Sequence, residues 1–171
     1  ALGRVFSSRY LLGISGWMFA LAIAASLLYF TQAEVIKDQG TDLRRNIVFF
    51  ARIDLFTQGF TLLLQLTITT ALFRFLGVGR MLLLCPITVV ACYATLSLSP
   101  TYAVMAIFQA LFRSARYAIT RPARESLFVV LSPEEKYVSK AALDTVVYRA
   151  GDVAGLVLSK VLKELGATFS I

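Results

Sequence analysis

Apolar and polar positions along this chain fall into long blocks. Five apolar blocks are each near ~20 residues, the helical length that crosses ~30 Å of hydrocarbon. They span about 10–33, 53–73, 81–98, 101–119 and 141–162. The pattern predicts an all-α integral membrane chain with about five transmembrane helices. The first block, Tyr10 to Ala33, carries no charge, and Gly16, Ala20 and Ala24 recur in it at four-residue spacing. Such a small-residue stripe lets a second helix approach closely. Gly151, Gly155 and Ser159 repeat the stripe in the fifth block.

The connections differ in kind. Glu34 to Arg52 mixes acids and bases, and Gly40 is expected to break any helix there. The second block opens on Asp54. Arg74 to Arg80 holds Gly77 and Gly79 and reads as a short basic loop. Pro86 is expected to kink the third block. Met81 to Phe112 is 32 residues without a charge, too long for one ordinary span, and Pro100 divides it. The stretch 121–140 reads as an amphipathic cytoplasmic connection. Within it, Pro122 opens a short helix, and Ser132 caps another with Glu135 three positions on.

Composition agrees with lipid as the solvent. Apolar residues make up 58% and charged residues 16%, against roughly 25% charged in soluble domains, and mean hydropathy is +0.74. One soluble core of 171 residues could not hide that much apolar surface. The net charge of +7 fits Lys and Arg gathered in cytoplasmic loops. No basic, aromatic-interleaved segment lies outside the apolar blocks, which excludes nucleic acid as partner. A cytoplasmic N-terminus places Arg4, Arg9, Arg74, Arg80, Arg121, Arg124, Lys136 and Lys140 inside. Cys85 and Cys92 share one helix face in an apolar block and read as packing residues, and the chain has no histidine. No metal cluster, nucleophile–base pair or phosphate-cradling loop is visible, so neither an enzyme nor a cofactor is expected.

Charged groups inside a span cost at least ~2.5 kcal/mol each and need a reason to be there. Arg113 and Arg116, three apart, share a face with Gln109 and Thr120. Their guanidinium groups can bind an anion bidentately, or snorkel to the headgroups. Arg121, Arg124 and Glu125 lie together on one side of their segment. They belong either to an interfacial helix or to a charged brace at a gate. In the fifth block Asp144, Tyr148 and Asp152 form a stripe, with Arg149 three before Asp152. This set lines a water-filled path or is a salt-bridge network, and Asp144 is a candidate partner for Arg113 or Arg116. Asp54 is either an interfacial residue or a coupling acid.

Two passages carry a resemblance. One runs Arg113-Ser-Ala-Arg-Tyr-Ala-Ile-Thr-Arg-Pro-Ala-Arg-Glu-Ser-Leu-Phe128, the other Glu135-Lys-Tyr to Asp144-Thr-Val-Val-Tyr-Arg-Ala-Gly-Asp152. Together they resemble the bacterial members of the nucleotide (ATP/ADP) translocase family, relatives of the major facilitator superfamily. The resemblance implies a bacterial inner-membrane antiporter working by alternating access. The five blocks would be helices seven to eleven of twelve, with the N-terminal half and last helix outside this sequence. It implies an anionic substrate, a nucleotide, met by Arg113, Arg116 and Arg149. Arg121, Arg124, Glu125, Asp144 and Asp152 would form the gating network. The residues also admit a proton-coupled transporter of another solute, in which Asp54 or Asp144 faces the cavity unpaired, and a non-transporting membrane scaffold or sensor.

Overall fold

The computed structural model describes residues 8–38, 43–67, 69–98 and 101–164. These residues are helical apart from short links, and no strand occurs among them. The expected breaks at Gly40 and Pro100, and Arg4, lie outside the described residues.

Helix α1 is Arg9–Asp38, α2 is Leu43–Thr67 and α3 is Thr69–Leu98. Helix α4, Tyr102–Ala115, runs into a π-helical turn at Arg116–Thr120 and then into α5, Arg121–Leu127. A 3-10 turn at Phe128–Val130 follows. Helix α6, Pro133–Ala142, leads through a second π turn, Leu143–Val147, into α7, Tyr148–Glu164. The chain forms two compact units. One takes α1 up to Phe30 together with the chain from Phe128 onward; the other takes Thr31–Leu127.

Several expected loops are helix. Residues 34–38 and 43–52 extend α1 and α2 into the mixed-charge stretch. The Arg74–Arg80 loop reduces to a single non-helical residue, Gly77, whose φ of 70° and ψ of 164° suit glycine alone. Pro86 stays inside α3, so the break in helical dihedrals falls at Gly77 instead. The 121–140 connection is likewise two helices that continue their neighbours, divided near 131–132. Pro122 does not start a separate helix, because Arg121 before it already has right-handed helical dihedrals.

Helix α6 does begin where its sequence says. Ser132 is extended, its Oγ accepts the Glu135 backbone N–H at 3.4 Å, and Pro133 follows at the position that needs no N–H partner. The Glu135 carboxylate accepts from the Ser132 hydroxyl at 3.0 Å.

Two described helices are long and apolar enough to cross a membrane, Arg9–Ala33 within α1 and Thr69–Leu98. Helices α4 and α7 are short at 14 and 17 residues because π turns divide the runs they belong to. Hydroxyl residues in the apolar blocks satisfy themselves. Ser15, Thr57, Thr61, Thr67, Thr88 and Thr95 each donate to the carbonyl four residues back, at 2.6 to 2.8 Å. That back-bonding lets a hydroxyl sit in an apolar helix without an unmet donor.

The buried row of α3 is Met81, Cys85, Val89, Cys92 and Leu96, at spacings of three and four residues. Both cysteines are fully buried and free, as expected of packing residues. In the other unit α7 lies directly on α1. A methyl group added at Gly151 would stand 2.6 Å from the Ala22 Cβ, and one at Gly155 would stand 2.6 Å from the Ser26 Cβ. Two of the three small residues in the fifth block therefore form the expected close contact. The stripe expected in α1 does not meet it: Gly16 has open space beside it, and Phe19, Ala22, Ile23 and Ser26 make the contact instead.

Candidate functional site

The unit formed by Thr31–Leu127 contains a polar seam between helices. Arg113 on α4 forms an ion pair with Asp54 on α2. Next, the Thr61 hydroxyl, whose hydrogen goes to the Thr57 carbonyl at 2.6 Å, lies 3.2 Å from the Ser114 hydroxyl. Gln65 Nε2 then donates to the Tyr117 carbonyl at 3.2 Å. The Thr69 hydroxyl lies 3.0 Å from the Ala118 carbonyl and 2.9 Å from that of Leu64. Finally, Thr120 meets the Cys85 thiol on α3 at 2.9 Å. Asp54, Thr57, Thr61 and Gln65 recur every three or four residues, which puts them on one face of α2.

The seam is unevenly buried. The side chains of Arg113 and Asp54 are 38% and 53% exposed and Gln65 is exposed, whereas Thr61, Ser114 and Thr120 are buried. A charged, accessible pair thus stands at one end of a run of neutral contacts. Gln109, one turn before Arg113, is buried, and its side-chain carbonyl oxygen has no hydrogen-bond partner.

The π turn at Arg116–Thr120 decides which residues face which helix. A π turn closes i to i+5 bonds and so takes up one extra residue. Side chains beyond it are rotated by about 100° relative to an uninterrupted α-helix. Gln109, Arg113, Arg116 and Thr120 were expected on one face. Instead Arg113 meets Asp54 on α2, while Thr120 meets Cys85 on α3. Two carbonyls of the turn, those of Tyr117 and Ala118, receive the side-chain bonds from Gln65 and Thr69.

The other candidate residues divide between the units. Arg124 pairs with its neighbour Glu125 at 3.5 Å, and Arg121 is exposed. The expected brace across helices is, in this pair, a contact between adjacent residues on α5. In the other unit Arg149 and Asp152 form the expected i, i+3 pair at 3.7 Å, with the Arg149 side chain 79% exposed. Asp152 also accepts from the Ser26 hydroxyl at 3.2 Å, across the close α1–α7 contact. Asp144 is exposed and lies in the second π turn.

Asp144 was the acid offered to Arg113 or Arg116; the acid that Arg113 meets is Asp54. The seam residues Thr61, Gln65, Thr69, Ser114 and Ser26's bond to Asp152 were not singled out from sequence. The four-residue spacing of Thr57, Thr61, Gln65 and Thr69 was the available signal.

No curated protein and no solved structure matches the chain. A family model, TLC ATP/ADP transporter, matches residues 2–171, nearly the whole sequence. The motif-bearing helices α4 to α7 lie inside that match, and the chain belongs to the TLC ATP/ADP transporter family.

Proposed function

We propose that the chain is part of an integral membrane carrier that exchanges ATP and ADP by alternating access. The observation that carries this reading is the family match over residues 2–171. A family of transporters also fits the lack of an enzyme's constellation in the sequence. The distribution of apolar side chains supports a lipid setting: Leu55, Phe56 and Leu66 on α2 are 74%, 78% and 74% exposed. Large apolar side chains this exposed need a nonaqueous surround or a protein partner. On this reading the helices belong to the C-terminal half of a major facilitator arrangement in a bacterial inner membrane, with the N-terminus of this chain cytoplasmic.

Arg113 and Arg116 in one unit, and Arg149 in the other, are each candidates to engage the substrate's phosphates. Guanidinium suits this task because its planar fork matches phosphate oxygens and stays charged at any physiological pH. Arg121, Arg124, Glu125, Asp144 and Asp152 would form charge pairs that break and re-form as the carrier turns. Two of these contacts, Arg124–Glu125 and Arg149–Asp152, support such a network. The substrate site of such carriers lies where two halves of the molecule meet.

The test is uptake of radiolabelled ATP into liposomes bearing the intact carrier to which this chain belongs, preloaded with ADP or left empty. Uptake that requires internal ADP and is lost in Arg113→Ala, Arg116→Ala is the expected result. Folded protein that takes up no ATP would sink the nucleotide assignment.

A further inference from the structure

We infer that Asp54 is an internal counter-anion, which occupies Arg113 in the empty carrier and yields it to an incoming phosphate. The inference rests on the carrier reading for the anion's identity, and on the geometry for the exchange itself.

Asp54 and Arg113 stand on different helices, 59 positions apart in sequence. Their ion pair uses Nη1 of the guanidinium whose fork would hold a phosphate, so a phosphate bound bidentately has to displace the carboxylate from that donor. A carboxylate carries one charge; a terminal phosphate near neutral pH carries closer to two. The phosphate therefore prevails when present, and the carboxylate returns when it leaves. Accessibility permits the swap, since both side chains are over a third exposed. On the carrier reading this exposure faces the water-filled substrate path, where such ion pairs are weak and a second anion can displace the first.

The rest of the seam explains why opening the pair need not separate the helices. Thr61–Ser114, Gln65–Tyr117 and Thr69–Ala118 continue to tie the chain before and after Ile68 to the α4 run. None of these bonds involves a charge. Breaking the ion pair changes the electrostatics at Arg113 and leaves these neutral contacts in place. The released Asp54 carboxylate remains largely exposed and needs no new partner.

Asp54 is then a positioning residue that sets how tightly substrate binds. A purely structural tie would make its removal loosen the fold and leave anion affinity alone. A competitor does the reverse. Losing it tightens anion binding and slows release, because the gain is spent on the bound ground state rather than on turnover.

The experiment measures inorganic pyrophosphate binding by calorimetry to the intact carrier in lipid nanodiscs. Asp54→Asn is expected to bind about fivefold more tightly than wild type, the factor that follows from losing one exposed ion pair as competitor. Asp54→Ser, which removes the same charge with less bulk, is expected to shift likewise, and Asp54→Glu to stay near wild type. The gain should vanish when Arg113→Ala is added. Asp54→Asn protein that binds pyrophosphate no more tightly than wild type, or a gain that survives Arg113→Ala, would overturn the inference. ATP uptake by wild-type liposomes, run alongside, reports on the carrier reading separately. A pyrophosphate shift without ATP uptake would leave Asp54 as counter-anion and remove the nucleotide. ATP exchange without the shift would do the opposite.

Discussion

Replacing Gly155 by alanine puts the α1–α7 contact to a quantitative test. The added Cβ would stand 2.6 Å from the Ser26 Cβ and 3.1 Å from the Ile23 carbonyl oxygen. Carbon atoms pack at about 3.5–4.0 Å, so the two helices must part by about 1 Å. Ser26 also donates to Asp152 at 3.2 Å, and a shift of that size breaks the bond. Overpacking of this kind costs about 1–3 kcal/mol. Alanine returns up to about 1 kcal/mol through its better helix propensity. With the full offset the net is a loss of up to about 2 kcal/mol, or a fall in Tm of up to about 8 °C for a chain of this size. The assay is thermal unfolding of purified protein in detergent, followed by circular dichroism. Gly16→Ala is the matched control, because nothing lies within 4 Å of an added Cβ there. It is expected to leave Tm unchanged or raise it by a few degrees, about 1 kcal/mol at most. Adding Ser26→Gly to Gly155→Ala removes the opposing Cβ and should restore part of the loss, measured as a double-mutant cycle. A Gly16→Ala variant that destabilises as much as Gly155→Ala would refute the reasoning.

Gly77→Ala is expected to lower stability by about 1–3 kcal/mol, since φ of 70° with ψ of 164° is open to glycine alone; the same unfolding assay reads it. Ser132→Ala removes the cap of α6 and is expected to cost about 1 kcal/mol. Faster amide exchange confined to the first turn of α6 would report it, and unchanged exchange would count against the cap. Cys85 and Cys92, both fully buried, should react with a maleimide only on unfolding; rapid labelling of the folded protein would contradict their placement. Arg113→Ala removes half of an exposed ion pair and is expected to cost at most about 1 kcal/mol of stability while abolishing ATP uptake.

The sequence disclosed the helical character and the capping of α6 directly, because both depend on nearest neighbours. Helix extents were harder. Residues 43–52 read as loop because their charges broke the apolar block, yet charge does not prevent a helix from continuing. The stripe at Gly151 and Gly155 was legible and the one at Gly16, Ala20 and Ala24 was not. Small size permits close approach but does not say which face has a neighbour. At the candidate site, intramembrane charge pointed to Arg113 and Asp54 separately. Their pairing depends on how α2 packs on α4, which no periodicity within either block contains. The π turns were hidden for a related reason. A turn of five residues differs from one of four only in backbone hydrogen bonds, and nothing in Arg116–Thr120 or Leu143–Val147 spells that out.

Those two π turns also make the molecule unusually sensitive to chain length. Each one stores a surplus residue, so a one-residue deletion inside it could be absorbed by tightening to an ordinary α-helix. The helix would survive the deletion, but everything downstream would turn by about 100° about the axis. At the first turn that would carry Thr120 away from Cys85 while Arg113 stayed with Asp54. A frame-preserving loss of three nucleotides there would act as a rotation, leaving composition, hydropathy and helix content almost as they were.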